Sequence, residues 1–383
     1  MPYRRKKKLN HEQISEIHLQ SVSQDRLEEA LEFIDRLRKW RSKSKLYTTY
    51  VEGVRKALAN TGNERIYCDF RLEGTATGRL SCGGYRAGDV PLGVSFHTLP
   101  RDKSDNIRDL ITAIVDSYFG TPKAFIAADY GQMELRVMAH NSQDENLIAA
   151  FFSGEDLHKY TASLCFNKDI NDVTEEERQI AKSVSFLVIY GGREYRLSKT
   201  ANITLERAAE VIESYEQAFP SIFAWMDEVK QELKDLGYAE TRFGRRRHLP
   251  NIFSNDPRSV ARAERQGINF KIQSEASDIL CYSLLDISKE FKLRALDAKP
   301  VATVHDSIEA VTSLDDLEEA VQIVYDKMMY YPTLKKLGFD LCVPMKVDVE
   351  VGTSFGDGME VEINKAGTIM NLEDIMEAKF ADI

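Results

Sequence analysis

Two acids and two helical faces carry the residues that could do chemistry. Asp129 closes the apolar run Phe125–Ala128, and Asp306 lies in Val304-His-Asp306, between two stretches of strand character. Two carboxylates from separate strands are the minimum needed to hold a pair of Mg²⁺ ions, which take oxygen ligands and need them on rigid scaffold. Arg178, Lys182, Phe186 and Tyr190 recur every four residues, so two cations and two rings share one slowly winding helix face. Such a face suits a nucleoside triphosphate: the cations take phosphates while a ring packs on base or sugar. The loop Gly74–Ser81 surrounds Arg79 with small residues and can lay N–H groups and a guanidinium against a phosphate, although many such loops are plain turns. Arg265, Asn269 and Gln273 again repeat every four residues. They read either as probes of the minor groove, whose acceptors are alike for every base pair, or as buried structural polars. The densest basic cluster, Thr241–Pro250 with Arg245 and Arg246 inside it, reads as contact with a phosphate backbone.

The elements that must position these residues are legible in outline. Phe125–Ala128 has the length of a buried strand, Gly131 follows as a flexible point, and from Gln132 the residues are good helix formers. An isolated Asp129 would also read as a cap on that helix. Residues 141–250 look almost wholly helical, with Asp156 as N-cap of a helix carrying His158. Thr174-Glu-Glu-Glu177 is a capping box, and Ile180, Val184, Leu187 and Val188 lie opposite the Arg178–Tyr190 face. Pro300–Ala310 reads as strand, tight turn, strand with His305 and Asp306 at its tip, and Val343–Val351 as another strand beside it. At the N-terminus, the basic run Tyr3–Lys8 precedes an amphipathic helix over Asp25–Arg41, and mixed β-like segments are expected over 44–74. Asn371–Phe380 forms an acidic, partly amphipathic tail.

Bulk properties set the frame. With 383 residues the chain can bury a large core in two or three domains. No apolar run is long enough for a bilayer and the basic N-terminus is unlike a signal peptide, so no membrane role is expected. Five scattered cysteines without metal-ligand spacing read as reduced thiols in a cytoplasmic setting, bacterial or that of a virus-infected host. The net charge of −10 argues weakly against nucleic acid, but clustered cations outweigh a global sum.

Taken together the motifs resemble those of the family A DNA polymerases, the bacterial DNA polymerase I type. Asp129–Arg136 resembles motif A, Arg178-x3-Lys182-x3-Phe186-x3-Tyr190-Gly191 motif B, and Val304-His-Asp306 motif C. Thr77–Ser81, Asp156-Leu-His158, Gly244–Pro250 and Arg265-x3-Asn269-x3-Gln273 follow in the family's order, from about residue 40 to about residue 357. The resemblance implies an α+β right-hand fold: an antiparallel-sheet palm, helical fingers and a reduced helical thumb. The boundaries expected are thumb 1–63, palm 64–140 and 251–360, fingers 141–250 and tail 361–383.

It also implies template-directed DNA synthesis from dNTPs on primer-template DNA. Asp129 and Asp306, with the Tyr130 carbonyl, would bind two Mg²⁺, for which Mn²⁺ can substitute. Arg178, Lys182 and His158 would clamp the triphosphate, with Lys182 as general acid to the leaving group. Glu134 would exclude ribonucleotides beneath the sugar, Gln132 would join the nucleotide contacts, Phe186 would pack on the nucleotide and Tyr190 would stack at the templating position. Arg79, Arg265, Asn269, Gln273 and His305 would follow the minor groove and primer end, with Arg245 and Arg246 on DNA.

Departures from the pattern are specific. Ser307 follows Asp306 where a Glu is common, with Glu309 nearby, and Ser185 and Leu187 replace a usual Asn and Gly. Ser95–Leu99 departs from the common Leu-Gln-Asn-Ile before Pro100. The short N-terminal stretch lacks the paired acids of an exonuclease and suggests one subunit of a split replicase. A separate thumb and exonuclease chain or another replisome protein would then dock on the N-terminal helix or the tail. The economy of the chain suggests a phage-like, viral or plasmid-like source. A catalytically silent, nucleic-acid-binding replisome module is the alternative function, and a single-subunit RNA polymerase is disfavoured by Glu134.

Overall fold

The computed structural model describes residues 24–62, 65–100, 107–113 and 123–381; the basic run Tyr3–Lys8 lies outside them. The chain forms two compact units, one of residues up to Cys68 together with Gly84–Ser95, the other of Asp69–Gly83 and Phe96 onward. In the first, helix α1 (Gln24–Lys45) runs through a π-helical turn (Leu46–Val51) into α2 (Glu52–Thr61), which ends on Gly62 in the left-handed conformation. The β-like reading of 44–74 is therefore corrected over 44–61. Thr48, Thr49 and Val51 favour strands weakly, but Tyr50 and Ala57 are buried by continuing the helix, and packing overrides propensity. Strand character begins with β1 (Cys68–Arg71), which pairs with β2 (Ser81–Gly84), and a short ribbon joins β3 (Arg86–Ala87) to β4 (Val90–Pro91).

The second unit is built on β5 (Lys123–Tyr130), buried on most of its length because helices cover it. The chain continues through α3 (Met133–Ser142), α4 (Glu145–Phe152), α5 (Leu157–Phe166), α6 (Glu175–Ile189), α7 (Glu194–Ala201), α8 (Leu205–Ala218) and α9 (Pro220–Leu236). A two-stranded ribbon, β6 (Tyr238–Glu240) with β7 (Arg246–His248), interrupts this helical region and carries the basic cluster in its turn and second strand. Helix α10 (Pro257–Leu293) starts on Asp256 as N-cap with Pro at its first position. The hairpin β8 (Ala298–Val304) and β9 (Ser307–Ser313) follows, then α11 (Leu317–Tyr330), α12 (Pro332–Lys336), β10 (Val347–Gly352), β11 (Met359–Glu360) and α13 (Leu372–Phe380).

The main sheet is antiparallel in the order β11-β10-β5-β9-β8. The expected strand near 343–351 is present as Val347–Gly352, but it lies against β5 and not beside the hairpin. Both edges of β9 are already taken, by β5 and β8, so the free edge of β5 is the one left to pair. Pro300 is accommodated at a bulge in β8. Tyr130 anchors the end of β5: its hydroxyl lies 2.7 Å from Ser283 Oγ on α10 and donates at 3.1 Å to Met328 O on α11.

The tail is part of this core. Ile375 and Phe380 of α13 are buried in it, so these apolar residues of the expected partner-docking segment are used within the chain. Among the described residues, no helix is long and apolar enough to cross a membrane.

Candidate active site

The two acids meet because β5 and β9 are neighbours. Asp129 stands opposite Ser307, the residue after Asp306, and Tyr130 N donates to Asp306 O at 3.3 Å. The Asp129 side chain is exposed at the strand end and that of Asp306 is part-exposed. Asp129 does not cap the next helix: Gln132 takes the N-cap position in the left-handed conformation, and the chain turns into α3 through Gly131 and Gln132. His305, also left-handed with φ 60°, makes the tight turn of the hairpin. Its ring stacks on His97 at 5.8 Å, and His97 Nε2 lies 2.7 Å from Thr303 O. The departure at Ser95–Leu99 thus supplies a ring that steadies the strained tip.

A network joins these acids to the helical faces. Arg79 Nη2 donates to Glu134 Oε1 at 2.7 Å and to Asp306 Oδ1 at 3.1 Å. Tyr190 OH donates to Glu134 Oε2 at 3.1 Å, and Gln273 Nε2 donates to Tyr190 OH at 3.3 Å. Glu134 sits in the first turn of α3, buried, and that burial raises its carboxyl above the ordinary value despite the Arg79 charge beside it. Five distant stretches of sequence, carrying Arg79, Glu134, Tyr190, Gln273 and Asp306, meet in one network. Of the minor-groove set, Gln273 is buried inside this network, Asn269 is half-buried and Arg265 is exposed. The Arg265 stem covers Gly191, where a Cβ would lie 2.6 Å from it.

Helix α6 has the expected capping box between Thr174 and Glu177. Ile180, Val184, Leu187 and Val188 anchor it in the core; Lys182 is exposed and Phe186 half-buried. Tyr190 falls just past the last helical residue, at the C-cap. Arg178 forms a bidentate pair with Asp156, at 3.1 and 2.9 Å, and Asp156 also caps α5 by accepting from Lys159 N.

Two sets of expected residues are engaged within the chain. His158 is 4% exposed, packs 6.1 Å from the Phe186 ring, and is held below the ordinary histidine value by burial. The N-terminal turn of α5 faces this ring inward, toward the core. Arg245 and Arg246 are engaged by acids of their own, Asp278 at 2.5 Å and Glu240 at 2.6 Å, because the β6–β7 ribbon folds the cluster back on α10 and on itself. A basic run in sequence shows no partners, so neither pairing was legible.

Sequence reasoning also missed Ser274, Ser277 and Asp278, which follow Gln273 on α10 and hold the loop before Arg79. Small polar residues within a helix carry no signal until the facing backbone is known.

The model of DNA polymerase family A matches residues 3–357, so the likeness begins well before residue 40, where the motifs alone set its start. DNA polymerase I of Geobacillus stearothermophilus is 34% identical over 341 residues, covering 88% of this chain and 36% of that protein. DNA polymerase I of Treponema pallidum is 33% identical over 318 residues, covering 83% of this chain and 30% of that protein. The chain thus spans about a third of the length of these curated relatives. Among solved structures, the POL domain of Pol1 from M. smegmatis, in complex with DNA primer-template and dNTP, aligns with a TM-score of 0.73. That alignment has 31% identity and covers 85% of this chain and 54% of the other.

Proposed function

This chain belongs to DNA polymerase family A, and from that premise we propose that it extends a DNA primer on a template with dNTPs. The observation that carries this reading is the convergence of Asp129 and Asp306 at one sheet end, joined through Arg79 and Glu134 to Tyr190 at the end of the cationic helix. The donors fit Mg²⁺. Carboxylates and the Tyr130 carbonyl are hard oxygen ligands, and Mg²⁺ completes its shell with water and substrate phosphates instead of a full protein cage. Asp129 and Asp306 would hold two ions, Mg²⁺ or Mn²⁺, which when bound activate the primer hydroxyl and offset charge on the leaving pyrophosphate.

The remaining work falls to the chain's own side chains. Arg178 and Lys182 bind the triphosphate, and the exposed Lys182 delivers a proton to the leaving group. Phe186 packs on the incoming nucleotide and Tyr190 on the templating side. Glu134, buried and doubly bonded, fills the space a ribose 2′-hydroxyl would need and has no spare solvation to offer it. Gln132 lines the nucleotide side at the start of α3. Arg79 keeps Glu134 and exchanges Asp306 for the primer strand; Arg265, Asn269, Gln273 and His305 follow the duplex. The proposed division is a reduced thumb over 1–63, palm over 64–140 and 251–360, fingers over 141–250 and a tail from 361.

Primer extension with Mg²⁺ and four dNTPs, run beside Asp129→Ala, tests the reading. Extension that disappears in the variant supports it. A chain that binds primer-template but never extends it would instead be a silent nucleic-acid-binding module.

A further inference from the structure

Arg79 reaches both Glu134 and Asp306 from a loop that is itself gripped by α10. Thr77 O accepts from Ser274 Oγ at 2.6 Å, and Gly78 O accepts from Ser277 Oγ at 2.9 Å. The two serines lie three residues apart, on one face of the helix, and are almost fully buried. The next residue, Asp278, is buried too and holds Arg245 at 2.5 Å. The Arg245 guanidinium in turn lies against Gly78: a Cβ there would sit 2.7 Å from its Cζ, and φ at Gly78 is +71°. Within the loop, Thr75 Oγ1 donates to Arg79 O at 2.7 Å. Every backbone group from Thr77 to Arg79 that these bonds reach is fixed just before the side chain that bridges the two acids.

We propose that Ser274, Ser277 and the Arg245–Asp278 pair are positioning residues for Arg79, and through it for Glu134. The selection of deoxyribose over ribose then depends on residues that touch neither nucleotide nor DNA. This rests on the polymerase reading above. The physical reason is that Arg79 and Tyr190 both donate to Glu134, and a buried carboxylate held from more than one side keeps one rotamer. Loosening the loop weakens the charged partner, lets the carboxylate move, and opens the space beneath the sugar. The same assignment replaces the DNA-contact role expected for Arg245.

The test measures kcat/KM for ribonucleotide and deoxyribonucleotide insertion by Ser277→Ala, Ser277→Thr and Asp278→Asn, each with the native Glu134 and with Glu134→Gln. Ser277→Ala and Asp278→Asn are expected to raise relative ribonucleotide use about tenfold, the scale of one lost hydrogen bond to a constrained site. Ser277→Thr, which keeps the hydroxyl, restores the native ratio. With Glu134→Gln the clamp variants add nothing further, because two residues acting on one carboxylate are not additive. An unchanged ratio in an enzyme that still extends primers overturns the clamp, as does the same fold-rise in both backgrounds. A native chain that inserts no nucleotide at all overturns the polymerase reading and the clamp with it. Should Asp278→Asn fail to melt cooperatively, Ser277→Ala removes one hydroxyl and no charge, and decides the question alone.

Discussion

Ser307 Oγ lies 2.7 Å from Glu309 Oε1 and 3.0 Å from Val304 O, on the strand that pairs with the one ending in Asp129 and Tyr130. A hydroxyl has one hydrogen, so Ser307 shares its donor between the Glu309 carboxyl oxygen and the Val304 carbonyl. Burial pushes the Glu309 carboxyl up to about 7. Ser307 thus donates to a buried acid two residues further along the same face.

The pH dependence of stability follows from that acid. A carboxyl raised from 4.5 to about 7 stabilises the fold below pH 4.5, and the contribution is lost as pH rises to about 7. Relative to Glu309→Gln, the native chain should therefore lose stability across that window and stay level below it. Urea melts in the presence of a chelator, at steps of pH, measure the difference; a difference independent of pH would show that burial does not raise the Glu309 carboxyl.

Asp156 predicts the opposite slope. Hydrogen bonds from Arg178 pull its carboxyl to about 2, so its contribution is present above pH 3.8 and is lost as pH falls toward 2. Asp156→Asn keeps the cap on α5 and loses a solvent-screened pair, costing about 0.5 kcal/mol; Asp156→Ala loses the cap as well, about 1 kcal/mol more. Because Arg178 loses its tether in both, the KM for dNTP should shift equally in the two variants even though their stabilities differ.

Sugar selection gives a graded prediction. Glu134→Ala should raise ribonucleotide incorporation strongly, and Tyr190→Phe, which removes the hydroxyl that donates to Glu134 and accepts from Gln273, should raise it by a smaller factor. Single-nucleotide insertion kinetics with matched ribo- and deoxyribonucleotides read both. Unchanged selectivity in Glu134→Ala would remove this carboxylate from the role.

Phe186 projects from the same helix face as Lys182, half-buried beside His158. A hydroxyl at its ring edge could stand in for a missing sugar 3′-hydroxyl, so Phe186→Tyr should improve use of dideoxynucleotides. Chain-termination patterns on a primed template would show it, and an unaltered pattern would mean that the ring does not lie along the nucleotide.

The C-terminal helix should behave as core. Ile375 is fully buried, so Ile375→Ala should cost about 2–5 kcal/mol, the range for a large aliphatic lost from packed surroundings. A melt unchanged by the substitution would mark α13 as an appendage.

Local chemistry and periodicity made much of this protein legible in its sequence. The strand ending at Asp129, the capping box at Thr174, the core-facing stripe of α6 and the hairpin presenting Asp306 depend on near neighbours, and near neighbours are written in order along the chain. The family motifs lay in the same local patterns. What tertiary structure alone decided were the partnerships of long polar side chains. Arg79 with Glu134 and Asp306, Arg245 with Asp278, and the serines of α10 with the Thr77–Gly78 backbone join residues from 33 to 227 positions apart. A guanidinium can satisfy itself with any carboxylate within reach, so its identity and spacing do not name the one it takes. Folding does, by bringing particular acids and carbonyls to it and excluding the water that would otherwise serve as well.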